Sequence, residues 1–332
     1  MKLSVDIKKK LKNHDLRVSF EIEKETLGFL GASGSGKSML LKCIAGIETP
    51  DSGRIQLGER VLFDKESGIN ISPQERKIGL SFQQYALFPH MSVYKNVASV
   101  TKNKALVSEL ITIFQLENVK DSYPRQLSGG QKQRVSLARM LASEPELLLF
   151  DEPFSALDAP LKEELQLELK KRLSFFDGNV LIVSHSLDEL YRLCPQLAII
   201  TEKDFIFGQT KQLFRQPKTV AAAKLTGCKN IFPIEKVGKR EVRVVGWKET
   251  WYVDSPLTEE CGYIGIRAHE FSVEIGENKL PVEFIQQQQN PFEQDAWFNH
   301  QGQKIWWKGS KQIDASKIQQ FTVPPEAIMV LK

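Results

Sequence analysis

The sequence predicts an α/β domain, a mainly parallel sheet with flanking helices and a small helical subdomain, followed by a small all-β, barrel-like domain. Three observations predict it. Short apolar runs alternate with longer stretches of helical period through the first part of the chain. All five tryptophans, Trp247, Trp251, Trp297, Trp306 and Trp307, fall near its end. A glycine-rich loop joins one apolar run to one helical stretch. At 332 residues the chain is long for one core and comfortable for two.

The elements follow in order. LGFL (27–30), IGLSF (78–82), LLLF (147–150) and VLIVS (180–184) are apolar enough to be buried on both faces, as strands of a parallel sheet are. MLLKCIAGI reads as the helix after the glycine-rich loop. QKQRVSLARMLASEPE reads as another, because Val135, Ala138 and Leu141 repeat at helical spacing until Pro145. The helical subdomain is expected over 90–145. KTVAAAKLTG reads as a short helix closed by Gly227, and the junction is placed after it, giving domains 1–227 and 228–332. Beyond it, EVRVVGW, TWYVDS, GYIGIRAHEF and KIWWKG are strand-like segments broken by glycine, proline and polar turns, the texture of a small barrel or sandwich. QQQQ at 286–289 is too short to be low complexity.

Composition narrows the function. The hydrophobic fraction of 41% and charged fraction of 26% are those of a soluble globular protein. A net charge of +4, with basic residues interleaved among acidic ones, gives no nucleic-acid patch, and Lys8, Lys9 and Lys10 read as a solvated face. No run reaches the roughly 18 apolar residues of a spanning helix, and MKLSVDIKKK lacks a signal-peptide core, so a cytosolic location is expected. Four cysteines without a CxxC pair suggest neither zinc nor disulfides.

GASGSGKS fits G-x-x-x-x-G-K-[ST] between a predicted strand and a helix. Gly31, Gly34 and Gly36 let the backbone turn tightly, and Ala32, Ser33 and Ser35 complete a loop whose N–H groups point at phosphate oxygens. Lys37 would reach the β and γ phosphates and the Ser38 hydroxyl would ligate Mg2+. LLLFDEP is a buried strand ending in two carboxylates, which is costly unless they meet a cation or a proton. Asp151 is the expected Mg2+ partner. Glu152 is placed to orient the water attacking the γ phosphate or accept its proton. LSGGQ, that is Leu127, Ser128, Gly129, Gly130 and Gln131, opens a helix and forms a second phosphate-binding start, which one nucleotide cannot easily share with the first loop. Gly31, Gln83, Asp151 and His185 each fall just beyond a predicted buried strand, the edge where open α/β sheets bind ligands.

On LSGGQ and these accompanying motifs the chain resembles the ABC ATPase family, whose members pair head to tail so that each LSGGQ caps ATP held by the other copy. The resemblance implies that Gln83 touches Mg2+ and the attacking water, and that His185 contacts the γ phosphate. It also implies that Ser155, Ala156, Leu157 and Asp158 couple the two copies. The catalytic set is then Glu152, His185 and Gln83, and the metal set Ser38, Gln83 and Asp151. The stretch 72–97 looks like that of importer subunits served by substrate-binding proteins, with Tyr85, Leu87, Phe88 and Pro89 in a pocket for a helix of the membrane subunit.

The tail resembles, on GYIGIRAHEF and PPEAIMVLK, the OB-like regulatory domain of importers of oxyanions, sugars, polyamines and iron, and the whole looks closest to molybdate and sulfate importer ATPases. The implied partners are a second copy, two permease subunits and, indirectly, a substrate-binding protein, at the cytoplasmic membrane face. The sequence departs from the family at two points. No Tyr, Phe or Trp lies over 11–15 to stack on adenine, leaving Leu11 or His14, and Met39 stands where threonine is common. Arg267 and His269 are the tail's candidate anion ligands, with an ordinary structural role as the alternative. A soluble ABC ATPase acting on nucleic acid or ribosomes is the rival class, but neither a second cassette nor a coiled-coil insertion is visible in the sequence.

Overall fold

Alternating apolar and polar residues make β1 (Lys2–Lys10) and β2 (Asp15–Glu23) half-buried strands, with Leu3, Val5 and Ile7 and then Leu16, Val18, Phe20 and Ile22 turned inward. β3 (Thr26–Gly31) is buried along almost its whole length and leads through the glycine-rich loop to α1 (Lys37–Ala45). β4 (Ser52–Leu57), β5 (Arg60–Asp64) and β6 (Ile69–Asn70) complete a five-stranded antiparallel sheet of order β2-β1-β4-β5-β6. After β7 (Ile78–Ser81) come the helices α2 (Val93–Ala98), α3 (Lys104–Ile113) and α4 (Gly129–Ala142), which pack on one another over the span where a helical subdomain was expected.

The chain then alternates through β8 (Leu147–Asp151), α5 (Ala159–Leu173), β9 (Asn179–Val183), α6 (Leu187–Leu193), β10 (Gln196–Ile200) and β11 (Phe205–Gln209). The second sheet has the order β11-β10-β3-β9-β8-β7, parallel throughout except at β11. Its parallel pairs require crossovers, which the intervening helices provide. Leu40, Leu41, Cys43 and Ile44 of α1 share one core with inward residues of both sheets.

This computed structural model describes residues 1–332 apart from 13, 82–84, 156–158, 174–175 and 203, and the side chains of 159, 161 and 172. The described chain divides into two compact units, Met1–Thr210 and Lys211–Lys332. Residues 211–227, which the sequence grouped with the first domain, therefore belong to the second. The reason is packing: after α7 (Thr210–Arg215), α8 (Val220–Leu225) buries Ala223 against Cys228, Met329 and Leu331.

The second unit continues with β12 (Asn230–Lys236), β13 (Glu241–Val244), β14 (Thr250–Tyr252), β15 (Tyr263–Ile266), β16 (Leu280–Pro281), β17 (Glu283–Gln289), β18 (Glu293–His300), β19 (Gln303–Ser310), β20 (Gln320–Phe321) and β21 (Ile328–Leu331). These form three sheets, β14-β13-β12-β15-β21, β17-β18-β19 and β16-β20, around a core containing Trp247, Trp251, Phe298, Trp307 and Phe321. Asn230 joins two of them, donating to the carbonyls of Ile266 (3.2 Å) and Trp306 (2.8 Å) and accepting from the Trp306 N–H (2.7 Å). Arg267 is not free for an anion. Its guanidinium donates to the Thr226 carbonyl (2.7 Å) and to that of Phe214, and so clamps the C-terminal ends of α7 and α8.

Candidate functional site

The glycine-rich loop is shaped by space and by backbone sign. A Cβ at Gly31 would lie 2.6 Å from the Ile200 carbonyl oxygen, so only glycine fits there. Gly36, the N-cap of α1, has φ 97°, and having no side chain it leaves the first-turn N–H groups of α1 for an anion. Lys37 is only 5% exposed, and its ammonium donates to the carbonyls of Gly31 and Ala32, 2.8 Å each. Burial lowers its pKa, while the charges of Glu152 and Asp151 oppose that shift.

Ser38 and Asp151 meet across the sheet edge, the Ser38 hydroxyl donating to Asp151 Oδ1 at 3.0 Å. Burial raises the Asp151 pKa, Ser38 partly offsets this, and neighbouring Glu152 adds to the rise. The Asp151 N–H donates to Ser81 Oγ at the end of β7 (3.3 Å), a contact no sequence pattern indicated. Glu152 has φ 50°, the left-handed region that a residue with a side chain enters only under constraint. Its N–H donates to the Val183 carbonyl (2.9 Å), and its carbonyl accepts from the Ser155 N–H (3.2 Å) and hydroxyl (3.0 Å). That turn directs the carboxylate to His185, whose Nε2 lies 2.7 Å from Glu152 Oε1. A carboxylate only accepts, so the imidazole proton of this bond sits on Nε2.

Leu127, Ser128, Gly129, Gly130 and Gln131 form the start of α4 as the pattern anticipated. Ser128 caps the helix by accepting from the Gln131 N–H (3.2 Å), and the Gln131 side chain accepts from the Ser128 N–H (2.9 Å). The remaining first-turn donors are the N–H groups of Gly129 and Gly130.

Gln83, Ala156, Leu157 and Asp158 lie outside the described residues. Tyr85 lines a cavity of about 160 Å³ with Arg139, whereas Leu87, Phe88 and Pro89 lie outside that lining. Arg139 instead stacks over the Phe88 ring at 5.0 Å and donates to the Ala86 carbonyl at 2.8 Å. Of the two residues left for the base, Leu11 packs against the core. His14 lines a cavity of about 360 Å³ together with Ser35. Among the described residues, His14 Nε2 and Ser35 Oγ are buried without a hydrogen-bond partner.

Residues 15–155 match the family model described as ABC transporter. The molybdenum import ATP-binding protein ModC of Haemophilus ducreyi is 42% identical over 207 residues, which cover 61% of this chain and 59% of that protein. The probable sulfate/thiosulfate import ATP-binding protein CysA of Chlorella vulgaris is 42% identical over 224 residues, 64% of this chain and 92% of that one. The chain belongs to the ABC transporter family.

The dimeric post-hydrolysis structure of the ATP-binding cassette MJ0796 bound to ADP and Pi has a TM-score of 0.53 to this member of the ABC transporter family. At 25% identity it covers 63% of this chain and 99% of its own, so the α/β architecture is that of an ABC cassette. Relatives named for import of Fe(3+) ions, spermidine/putrescine and sn-glycerol-3-phosphate match at 33%, 38% and 32% identity, the first over 89% of the chain. Among the described residues, no helix of this ABC transporter family member is long and apolar enough to cross a membrane. The family match includes the loop at 31–38, LSGGQ and the Asp151, Glu152 pair, and it ends before His185.

Proposed function

We propose that the chain is the ATP-hydrolysing subunit of an importer. It works as a head-to-tail pair at the cytoplasmic face of a membrane with two permease subunits, which take cargo from a substrate-binding protein. The observation that carries this reading is the meeting of Lys37, Ser38, Asp151 and the Glu152–His185 pair at one sheet edge.

The loop N–H groups and Lys37 hold the phosphates of ATP. Ser38 and Asp151 offer a hydroxyl and a carboxylate oxygen 3.0 Å apart, a donor set that fits a hard dication such as Mg2+ once phosphate and water oxygens complete it. Held there, Mg2+ would supply positive charge against the phosphate oxygens. Glu152 orients the attacking water and takes its proton, and His185 turns its Nε2–H from Glu152 to the γ phosphate. Gln83 is assigned to the metal and water, and the segment from Ser155 to Asp158 to coupling between copies, by family resemblance alone. Ser128, Gly129 and Gly130 cap the ATP of the second copy. The cavity between His14 and Ser35 takes the base and ribose, with His14 in place of a stacking ring.

The cargo we assign is an oxyanion such as molybdate or sulfate, supported by 42% identity to relatives named for those solutes against 32–38% for the others. The second unit acts as a regulatory domain. Glu152→Gln is expected to bind ATP and dimerise while hydrolysing about 10²–10⁴-fold more slowly. Turnover at the normal rate removes Glu152 from its role. Uptake of molybdate, tungstate and sulfate in cells lacking the gene tests the cargo, and loss of iron or polyamine uptake instead rejects the oxyanion.

A further inference from the structure

Glu189 is 3% exposed, and hydrolysis as described above does not use it. A buried carboxylate is costly unless both oxygens find partners. Here they do: one pairs with the Lys162 ammonium on α5, and the other accepts from the Ser184 hydroxyl.

The local sequence is Ser186-x-x-Glu189, a capping-box pattern in which the glutamate would return to the Ser186 N–H. The chain does something else. Ser186 Oγ accepts from the Glu189 N–H (3.4 Å) as a cap should, but the Ser186 N–H donates to Ser184 Oγ (3.0 Å). The carboxylate, freed from capping, bridges Ser184 to Lys162. Ser184 and Ser186 flank His185, so both neighbours of the histidine are tied to one buried glutamate. Lys162 lies in the first turn of α5, four residues after Asp158.

We propose that Glu189 is a positioning residue for His185, and that the Lys162–Glu189 pair ties the helix following the 155–158 segment to the loop carrying His185. Movement of that helix on pairing of two copies then reaches the imidazole through one ion pair whose carboxylate is buried. The proposal rests on the hydrolytic reading above, in which His185 contacts the γ phosphate.

The test uses the full chain. Glu189→Gln keeps side-chain volume and the Ser184 hydrogen bond, and Lys162→Met keeps much of the packing, so both variants should fold. Each is expected to lower kcat about 10- to 100-fold, as small misplacements of catalytic groups do, with ATP affinity within about twofold of the parent. In a His185→Ala background, Glu189→Gln should add no further loss, because the glutamate acts only by positioning that histidine. A Glu189→Gln protein with normal kcat, or one losing kcat equally with and without His185, overturns the proposal.

Nitrogen NMR of the His185 ring in the nucleotide-free protein gives a readout independent of turnover. Glu189→Gln should perturb the Nε2–H form that faces Glu152, and an unchanged His185 spectrum also overturns the proposal. If the parent hydrolyses no ATP, the functional reading fails, and the NMR result still decides whether Glu189 positions His185.

Discussion

Glu152 holds a left-handed backbone conformation, which costs a side-chain-bearing residue about 1 kcal/mol or more. The Val183 carbonyl and Ser155 hold it there, and the result is a carboxylate aimed at His185. Glu152→Gly is therefore expected to leave stability unchanged or raise it by up to about 1 kcal/mol while abolishing turnover, measured by urea unfolding and phosphate release. The cysteines give a second residue-scale prediction. Burial pushes the Cys43 and Cys228 thiols up to about 11 and raises that of Cys194 as well, so little thiolate forms near neutrality. Cys261 is only partly buried. A thiol reagent at pH 8 should titrate one cysteine in the native protein and four after denaturation; rapid reaction of more than one native thiol would contradict this burial.

At the scale of elements, α1 begins at the glycine-rich loop and is fastened at its other end by Arg76. This guanidinium is fully buried and donates to the carbonyls of Cys43 (3.0 Å), Ile44 (2.7 Å) and Ile71 (2.8 Å) and to Asn70 Oδ1 (2.9 Å). It caps the negative end of the α1 dipole and satisfies carbonyls that a helix terminus leaves unpaired. Arg76→Ala would remove this donor from all four acceptors, of which the Cys43 carbonyl keeps the Gly46 N–H (3.2 Å), and is expected to cost about 3–5 kcal/mol in denaturant unfolding. Arg76→Lys cannot reproduce the planar fork and should recover only part of that. Nothing in the string ERKIG distinguishes Arg76 from the exposed charges around it. Its importance arises because the chain around β6 and β7 comes back to the end of α1, where Arg76 joins Cys43 and Ile44 to Asn70 and Ile71.

At the scale of the molecule, every tryptophan lies in the second unit, whereas the nucleotide motifs lie in the first. Tryptophan fluorescence therefore reports unfolding of the second unit, and far-ultraviolet circular dichroism is dominated by the longer helices of the first. ATP with Mg2+ at about 100 times its Kd stabilises the unit that binds it by about 2.7 kcal/mol. The dichroism midpoint in urea should rise and the fluorescence midpoint stay in place; equal shifts of both would mean that the chain unfolds as one cooperative body. The division at Thr210 was not legible in advance. The alanine-rich segment reads equally well as the end of one domain or the start of the next, until α8 is seen to pack against Met329 and Leu331 from the far end of the chain.

By itself the sequence determined the geometry that is local. A glycine loop between strand and helix, an apolar run ending in Asp151 and Glu152, and the LSGGQ helix start each occupy a few consecutive residues, so backbone geometry follows directly from residue order. Which side chains meet was decided only by the tertiary structure. Ser38 and Asp151 are 113 residues apart and touch because β3 and β8 both pair with β9 in one parallel sheet. The Glu152–His185 bond, the Lys162–Glu189–Ser184 bridge and the Arg76 clamp arise in the same way. Hydrogen bonds of this kind depend on distances of a few tenths of an ångström set by packing, and no periodicity or motif along one chain encodes them.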